Sequence, residues 1–277
     1  MTHQTATDVQ VNLTLENLKR FLPPAPASIL EIGCGSGQVS KALMDLGYTV
    51  TAVEPDEKSS EKAKVLGVNV TVMDFLKFEP NQQFDFIFSI LVLHHIPDLV
   101  GAVQAIKKHL KPNGTVYVEE FHLSIVDHDT SKWFFDHQDL LEIAEVTSIH
   151  QHGGHHHGHH SHNHHAHNFK HHSHDGHRMT PEERWKSLFA HFQPKLHDGP
   201  DMIEQLKTLN GDIQVESCPL FFRLIGTGVD ERRKMGTSRS EGSDHKIAQK
   251  ILQMEQESIA EQKIKPFGLR VVVSNTK

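Results

Sequence analysis

Leu30-Glu31-Ile32-Gly33-Cys34-Gly35-Ser36-Gly37 decides the fold. An apolar run, 28–32, enters three glycines in five positions, and a helical pattern over 39–46 leaves them. Without a Cβ, glycine turns tightly and lets a ligand approach the main chain. Such a strand–glycine bend–helix unit opens many nucleotide-cofactor sites. The dinucleotide spacing Gly-x-Gly-x-x-Gly would need glycine at position 38, which is Gln38. No Tyr-x-x-x-Lys pair of a short-chain dehydrogenase occurs either. The competing structural reading is that the glycines only shape a turn.

Outward from this bend, strand and helix patterns alternate. Residues 48–53 and 68–73 read as strands, with a helix over 56–66 between them. The run 84–90 is almost wholly apolar, as in a strand covered on both faces. A helix over 98–110, a turn at Lys111-Pro112-Asn113-Gly114 and a strand over 115–121 follow. A helix over 9–22, stopped by Pro23-Pro24, precedes the whole. This alternation predicts a Rossmann-like, doubly wound, mostly parallel sheet with helices on both faces and a ligand beyond the C-terminal strand ends. The later chain reads as helices over 131–149, 182–192, 200–209 and 244–263, a strand pair within 212–225 and a final strand over 269–273. The expected organisation is one domain over 1–277: an N-terminal helix (1–24), a cofactor-binding core (25–122), a helical acceptor-side region (123–211), and C-terminal strands and helix (212–277) that complete the sheet.

Two carboxylates stand at strand ends. Glu54 follows Gly33 by 21 positions, an interval at which a carboxylate accepts from ribose hydroxyls. Asp74 ends the third strand and is placed to accept from an adenine amino group, with Phe75 as an aromatic neighbour. Read alone, each is equally a turn or cap residue.

Residues 30–37, Val53-Glu54-Pro55-Asp56, Val72-Met73-Asp74-Phe75, residues 84–97 and Leu110-Lys111-Pro112-Asn113-Gly114 resemble, in this order, the small-molecule class I S-adenosylmethionine-dependent methyltransferases. Within these, the chain is similar to the group typified by ubiquinone- and menaquinone-pathway enzymes. The resemblance covers residues 25–122; Val118-Glu119-Glu120-Phe121 and Pro266-Phe267-Gly268-Leu269-Arg270 extend it. It implies a seven-stranded sheet with an antiparallel last strand. It also implies S-adenosylmethionine as cofactor: Gly33, Cys34, Gly35 and Gly37 around the methionine portion with Glu31 nearby, Glu54 and Pro55 at the ribose, Asp74 and Phe75 at the adenine, and Ser89 and Ile90 along it. Asn113 stands where the family usually has glycine.

A sulfonium methyl is already activated, so the protein must chiefly align an acceptor at about 3–3.5 Å and exclude water. Where a base is needed, His94, His95, Glu120 and His122 lie on the correct edge; a structural hydrogen bond is the competing role for His94 and His95. Asn-Pro-Pro-Tyr, which marks amino-purine and glutamine methylation, is absent, and Ser89-Ile90-Leu91-Val92 occupies its place. Trp133, Phe134, Phe135, Trp185, Phe189 and Phe192 read as core, with an apolar lid as the alternative.

Composition narrows the partners. A net charge of −7 with no basic stripe argues against nucleic acid. No apolar run approaches the roughly 20 residues that span a bilayer. Two cysteines give no disulfide framework, so the expected location is cytoplasmic. Residues 150–177 hold 15 of the 25 histidines and almost nothing apolar, which predicts disorder and loose divalent-metal binding without the spaced ligands of a structural zinc site. The expected partner is a small-molecule acceptor. A protein methyltransferase, and a non-catalytic cofactor-binding protein whose histidine tract handles metal, are the alternatives. No feature fixes an oligomeric state.

Overall fold

The computed structural model describes residues 5–146, 179–190, 192, 196–234 and 242–275. The tract at 150–177, and the disorder expected of it, lie outside the described residues.

The first half follows the pattern read from sequence. Helix α1 (Ala6–Lys19) begins three residues earlier than its apolar spacing suggested, because Thr5 and Asp8 cap each other's backbone N–H groups. Then come β1 (Ser28–Ile32), α2 (Gln38–Asp45), β2 (Thr49–Glu54), α3 (Glu57–Val65), β3 (Asn69–Val72), β4 (Phe84–Ile90), α4 (Leu99–His109) and β5 (Leu110–Phe121). The segment 111–114 is not a free turn. It stays within β5 as an irregularity, where Phe84 pairs with Leu110 and Phe86 with Thr115.

After β5 the chain forms α5 (His128–Ile143), α6 (Pro181–Phe189) and α7 (Gly199–Leu206), then β6 (Asp212–Cys218), α8 (Phe221–Lys234), α9 (Ser243–Ala260) and β7 (Gly268–Ser274). The strand pair expected within 212–225 is corrected here: the strand ends at Cys218, and Phe221 opens a helix. The α8 N-terminus is satisfied from a distance. Leu220, Phe221 and Phe222 donate their backbone N–H groups to the Glu255 carboxylate of α9 at 2.7–2.9 Å. Local pattern cannot reveal a cap supplied from more than 30 positions away.

All seven strands form one sheet in the order β3-β2-β1-β4-β5-β7-β6. β1 to β5 pair in parallel, and β7 runs antiparallel to both β5 and β6. The Rossmann-like, mostly parallel sheet with an antiparallel last strand is therefore observed. Leu30, Ile32, Ile87, Val116 and Val118 pack on one face with α4 and α7. Ile29, Phe86, Phe88 and Tyr117 face Leu18 of α1 and Leu43 of α2 on the other. This alternation sends the adjacent Glu119 and Glu120 of β5 to opposite faces.

α5 and α6 flank the undescribed segment and are fastened directly. Arg184 forms a two-point pair with Asp139 at 2.7 and 2.8 Å, and its guanidinium lies 3.9 Å from the Phe135 ring centre. Deleting residues 151–173 is therefore expected to leave thermal stability unchanged or slightly raised, because the shorter connection relieves roughly 1 kcal/mol of closure entropy. A scanning-calorimetry midpoint lowered by ten degrees or more would show that the tract holds the helices together.

Candidate functional site

The order β3-β2-β1-β4 places a topological switch between β1 and β4, and in open α/β sheets ligands bind beyond the C-terminal strand ends at such a point. The glycine bend lies there. Gly33, Gly35 and Gly37 have φ of 71°, 51° and 81°, a region that other residues enter at a cost. Their uses differ. A Cβ on Gly33 would stand 2.3 Å from Val92 Cγ2, and one on Gly37 2.7 Å from Ala63 Cβ, so both are required by packing. A Cβ on Gly35 would meet nothing within 4 Å, which makes this the glycine that faces open space.

Glu54 ends β2 against the bend. Its carboxylate accepts from the Gly35 N–H at 2.8 Å and the Asp56 N–H at 3.0 Å. Pro55 is exposed beside it, and Asp56 caps α3 through the Ser59 N–H at 2.7 Å. Glu31, beneath, accepts from the Ser40 hydroxyl in a buried hydrogen bond. Burial, with the nearby Glu54 charge adding to it, pushes the Glu31 carboxyl up to about 8. Cys34 turns its thiol into a cluster with Ala52, Ala63 and Val68, and burial raises it well above the ordinary thiol range. Any ligand contact at this position must therefore come from backbone.

Asp74 is exposed at the end of β3 and accepts from the Leu76 N–H at 2.8 Å. Phe75 differs from the ring-stacking role expected of it. Its side chain is buried in the core, edge-on to His109 at 6.3 Å, and Leu76 is the apolar neighbour that stays exposed. Ser89 is buried, and its hydroxyl has no hydrogen-bond partner among the described residues. Ile90, half-buried, packs with the α1-side core.

Beyond β4 the chain makes a sharp turn. Leu91 adopts φ 58° and donates its N–H to the Glu119 carbonyl at 2.9 Å. A left-handed leucine carries strain, and such residues gather at functional sites. Glu120 fixes the following residues: it accepts from the Val92 N–H at 2.9 Å and the His94 N–H at 3.4 Å, and meets His94 Nδ1 at 2.6 Å. His95 is exposed, with its ring 4.0 Å from that of His94. His122 donates its N–H to the Phe267 carbonyl at 2.8 Å, pinning the end of β5.

The six aromatics divide. Phe134, Phe135 and Trp185 are buried in the second apolar core with Phe221 and Phe267, as the core reading expects. Phe192 is buried too; its ring stacks on Phe189 and lies 5.9 Å from that of the exposed His95. Sequence reasoning missed His197, whose N–H reaches the His94 carbonyl at 3.2 Å, and Asp198, which caps α7 while accepting from the Leu123 N–H at 2.6 Å. The Asp198-Gly199-Pro200 helix start was the available signal.

Residues 1–193 match the family described as Methyltransferase domain. The chain belongs to this family. It is 32% identical over 101 residues to a ubiquinone biosynthesis O-methyltransferase of Actinobacillus pleuropneumoniae, an alignment covering 32% of this chain and 43% of that protein. The matched regions span roughly half the length of such curated relatives, from 43% to 65% in the first two. Among solved structures the chain is similar to a phosphoethanolamine N-methyltransferase of Haemonchus contortus in complex with S-adenosyl-L-methionine. The TM-score is 0.55 at 19% identity, over 95% of this chain and 52% of that one. An S-adenosylmethionine-dependent methyltransferase from Mesorhizobium loti gives a TM-score of 0.51 at 16% identity, over 94% and 96% of the two chains. These likenesses are likenesses of fold.

Among the described residues no helix is long and apolar enough to cross a membrane, and no group of three or more His, Cys, Asp or Glu could hold a metal ion.

Proposed function

We propose that this chain transfers a methyl group from S-adenosylmethionine to a small organic acceptor. The observation that carries the reading is the open side of the bend at Gly35, with the Glu54 carboxylate on it and, in the strand across the switch point, the buried Ser89 hydroxyl without a partner among the described residues. The donor set suits the cofactor: a carboxylate for ribose hydroxyls, an exposed Asp74 beside Leu76 for an adenine amino group and face, and a glycine bend for the amino-acid portion. When bound, the cofactor supplies an electrophilic methyl that needs no further activation.

The chain's own residues then bind, orient and exclude water. Glu54 releases one backbone N–H or shares its lone pairs to take the ribose. Val92, packed on Gly33, holds the turn after β4 against the bend. Acceptor alignment falls to the ends of β4 and β5, and the O-methyltransferase names of the relatives favour an oxygen acceptor.

Glu54→Ala is expected to weaken adenosylhomocysteine binding by about 1–3 kcal/mol through lost charged hydrogen bonds. Titration calorimetry measures this; unchanged affinity would remove Glu54 from the cofactor site. Incubation of a metabolite extract with methyl-labelled cofactor then identifies the acceptor by the product that gains label.

A further inference from the structure

The two edges of the sheet are unlike. β3, on one side, has only four residues. β6, on the other, has seven and pairs with β7 without interruption, from Asp212 opposite Ser274 to Cys218 opposite Gly268. Its outer side pairs with no strand among the described residues. Proteins guard such an edge with brevity, proline, lysine or a bulge. Asp-Ile-Gln-Val-Glu-Ser-Cys carries none of these. Gln214 and Val215 point to opposite faces and both are exposed, so the edge is open above and below.

Apolar side chains run unbroken to this edge. On the face of α4 and α7, Val118 pairs with Val271 and Val271 with Val215; Val116, Val273 and Ile213 follow one another in the next row. Both rows start in the core, and Val215, 45% exposed, ends its row in solvent. The strand is also self-complementary. Turned antiparallel about Val215, two copies set Val215 against Val215, Ile213 against Ser217 and Gln214 against Glu216. Glu216 brings no bare charge, because Arg20 holds it at 2.6 Å and Arg270 at 3.4 Å. Asp212 of the second copy comes diagonal to Glu216, at about 7–8 Å, within reach of the exposed Arg20 guanidinium. Opposite charges thus meet on both sides of the axis.

We propose that β6 pairs with β6 of a second copy, antiparallel about a two-fold axis at Val215, joining two sheets into one of fourteen strands. The valine row then continues from one core into the other. Because the paired strands run oppositely, the C-terminal ends of β1 to β4 face opposite edges of the joined sheet, and the pairing leaves both glycine bends uncovered. The inference is independent of the methyl-transfer reading. Seven residues of edge make a small interface, so the dimer should dissociate on dilution.

Sedimentation velocity of the full chain from about 1 to 200 μM should show monomer passing into dimer. Val215→Lys should weaken association by about tenfold or more, as a lysine guards an edge, while adenosylhomocysteine affinity stays within about twofold. Val215→Cys should give a disulfide-linked dimer under mild oxidation, because Cβ atoms opposed on the axis stand about 4.5–5.5 Å apart. Val65→Cys, at an 86% exposed position on α3, is the control and should not. Cys34 and Cys218 are buried and do not compete. If Val215→Lys fails to fold, the cross-linking carries the same decision. Monomer at every concentration, a dimer that Val215→Lys leaves intact, or equal cross-linking of the two cysteine variants would overturn the proposal.

Discussion

Glu119→Ala is expected to lower folding stability by about 3–5 kcal/mol, the usual result of stripping the partner from a buried charge. Glu119 is 1% exposed, and its two oxygens hold Arg223 Nη2 at 2.6 Å and Arg270 Nε at 3.2 Å, with the Tyr117 hydroxyl donating at 3.2 Å. Arg223 reaches on to Thr14 of α1 at 2.7 Å, and Arg270 to Glu216 of β6, which pairs with Arg20 at 2.6 Å. One carboxylate thus joins α1, α8, β5 and β7, and through Arg270 reaches β6. Removing it leaves the Arg223 guanidinium, 7% exposed, without its counter-charge, and Arg270, 8% exposed, with Glu216 alone. Urea denaturation measures the effect, and a loss below 1 kcal/mol would show that water replaces the carboxylate. The double substitution Glu119→Leu with Arg223→Met should recover part of the loss, because no unpaired charge then remains at that contact.

A loss of similar size, about 3–5 kcal/mol, is expected for Glu255→Ala, since three buried backbone N–H groups at the start of α8 lose their acceptor at about 1–3 kcal/mol each, less the relieved burial of the carboxylate. Its pH dependence separates it from Glu119. Complete burial raises Glu255 to about 7, against the opposing pull of the three N–H donors and Arg223. A carboxyl whose folded value lies above its unfolded value of 4.5 binds its proton more tightly in the folded state. The stability it contributes is full below pH 4.5 and is lost as pH rises through 7. The gap between wild type and Glu255→Ala should therefore narrow by roughly 2–3 kcal/mol between pH 5 and pH 8. Glu31, raised to about 8, has the same sign but is present in both proteins and cancels from the difference. A gap that widens toward pH 8 would mean that Glu255 is held as the ion throughout. The first turn of α8 carries Phe221, stacked on Phe267 at 4.8 Å, so loosening should also be visible in aromatic near-ultraviolet dichroism.

The legible parts of this chain were those written by neighbours in sequence. The Gly33–Gly37 bend and the apolar run of β4 fixed the parallel half of the sheet, since turn chemistry and two-sided burial are local properties. Asp74 and Glu54 were placed at strand ends by counting along the same alternation. The sequence could not indicate that Phe75 turns inward, because an aromatic after a strand serves core and ligand equally well until the packing of His109 is known. The α8 helix was misread as strand because Phe221, Phe222, Leu224 and Ile225 suit either state, and the acceptor that settles the matter, Glu255, comes from α9. His94 and Glu120 were both named as candidates, but their union needs β4 and β5 in register, with Ile90 opposite Glu119.

That register has a further consequence. Glu119 and Glu120 are chemically identical neighbours with wholly different companions, two arginines above the sheet and a histidine below. Sliding β5 by one position would present each carboxylate to the wrong side, stranding the guanidiniums and unhooking the imidazole together. The tandem glutamates therefore act as a key cut on both edges: misalignment is rejected twice, and a chain that has closed its sheet correctly has, in the same event, fastened the turn beyond β4 through His94.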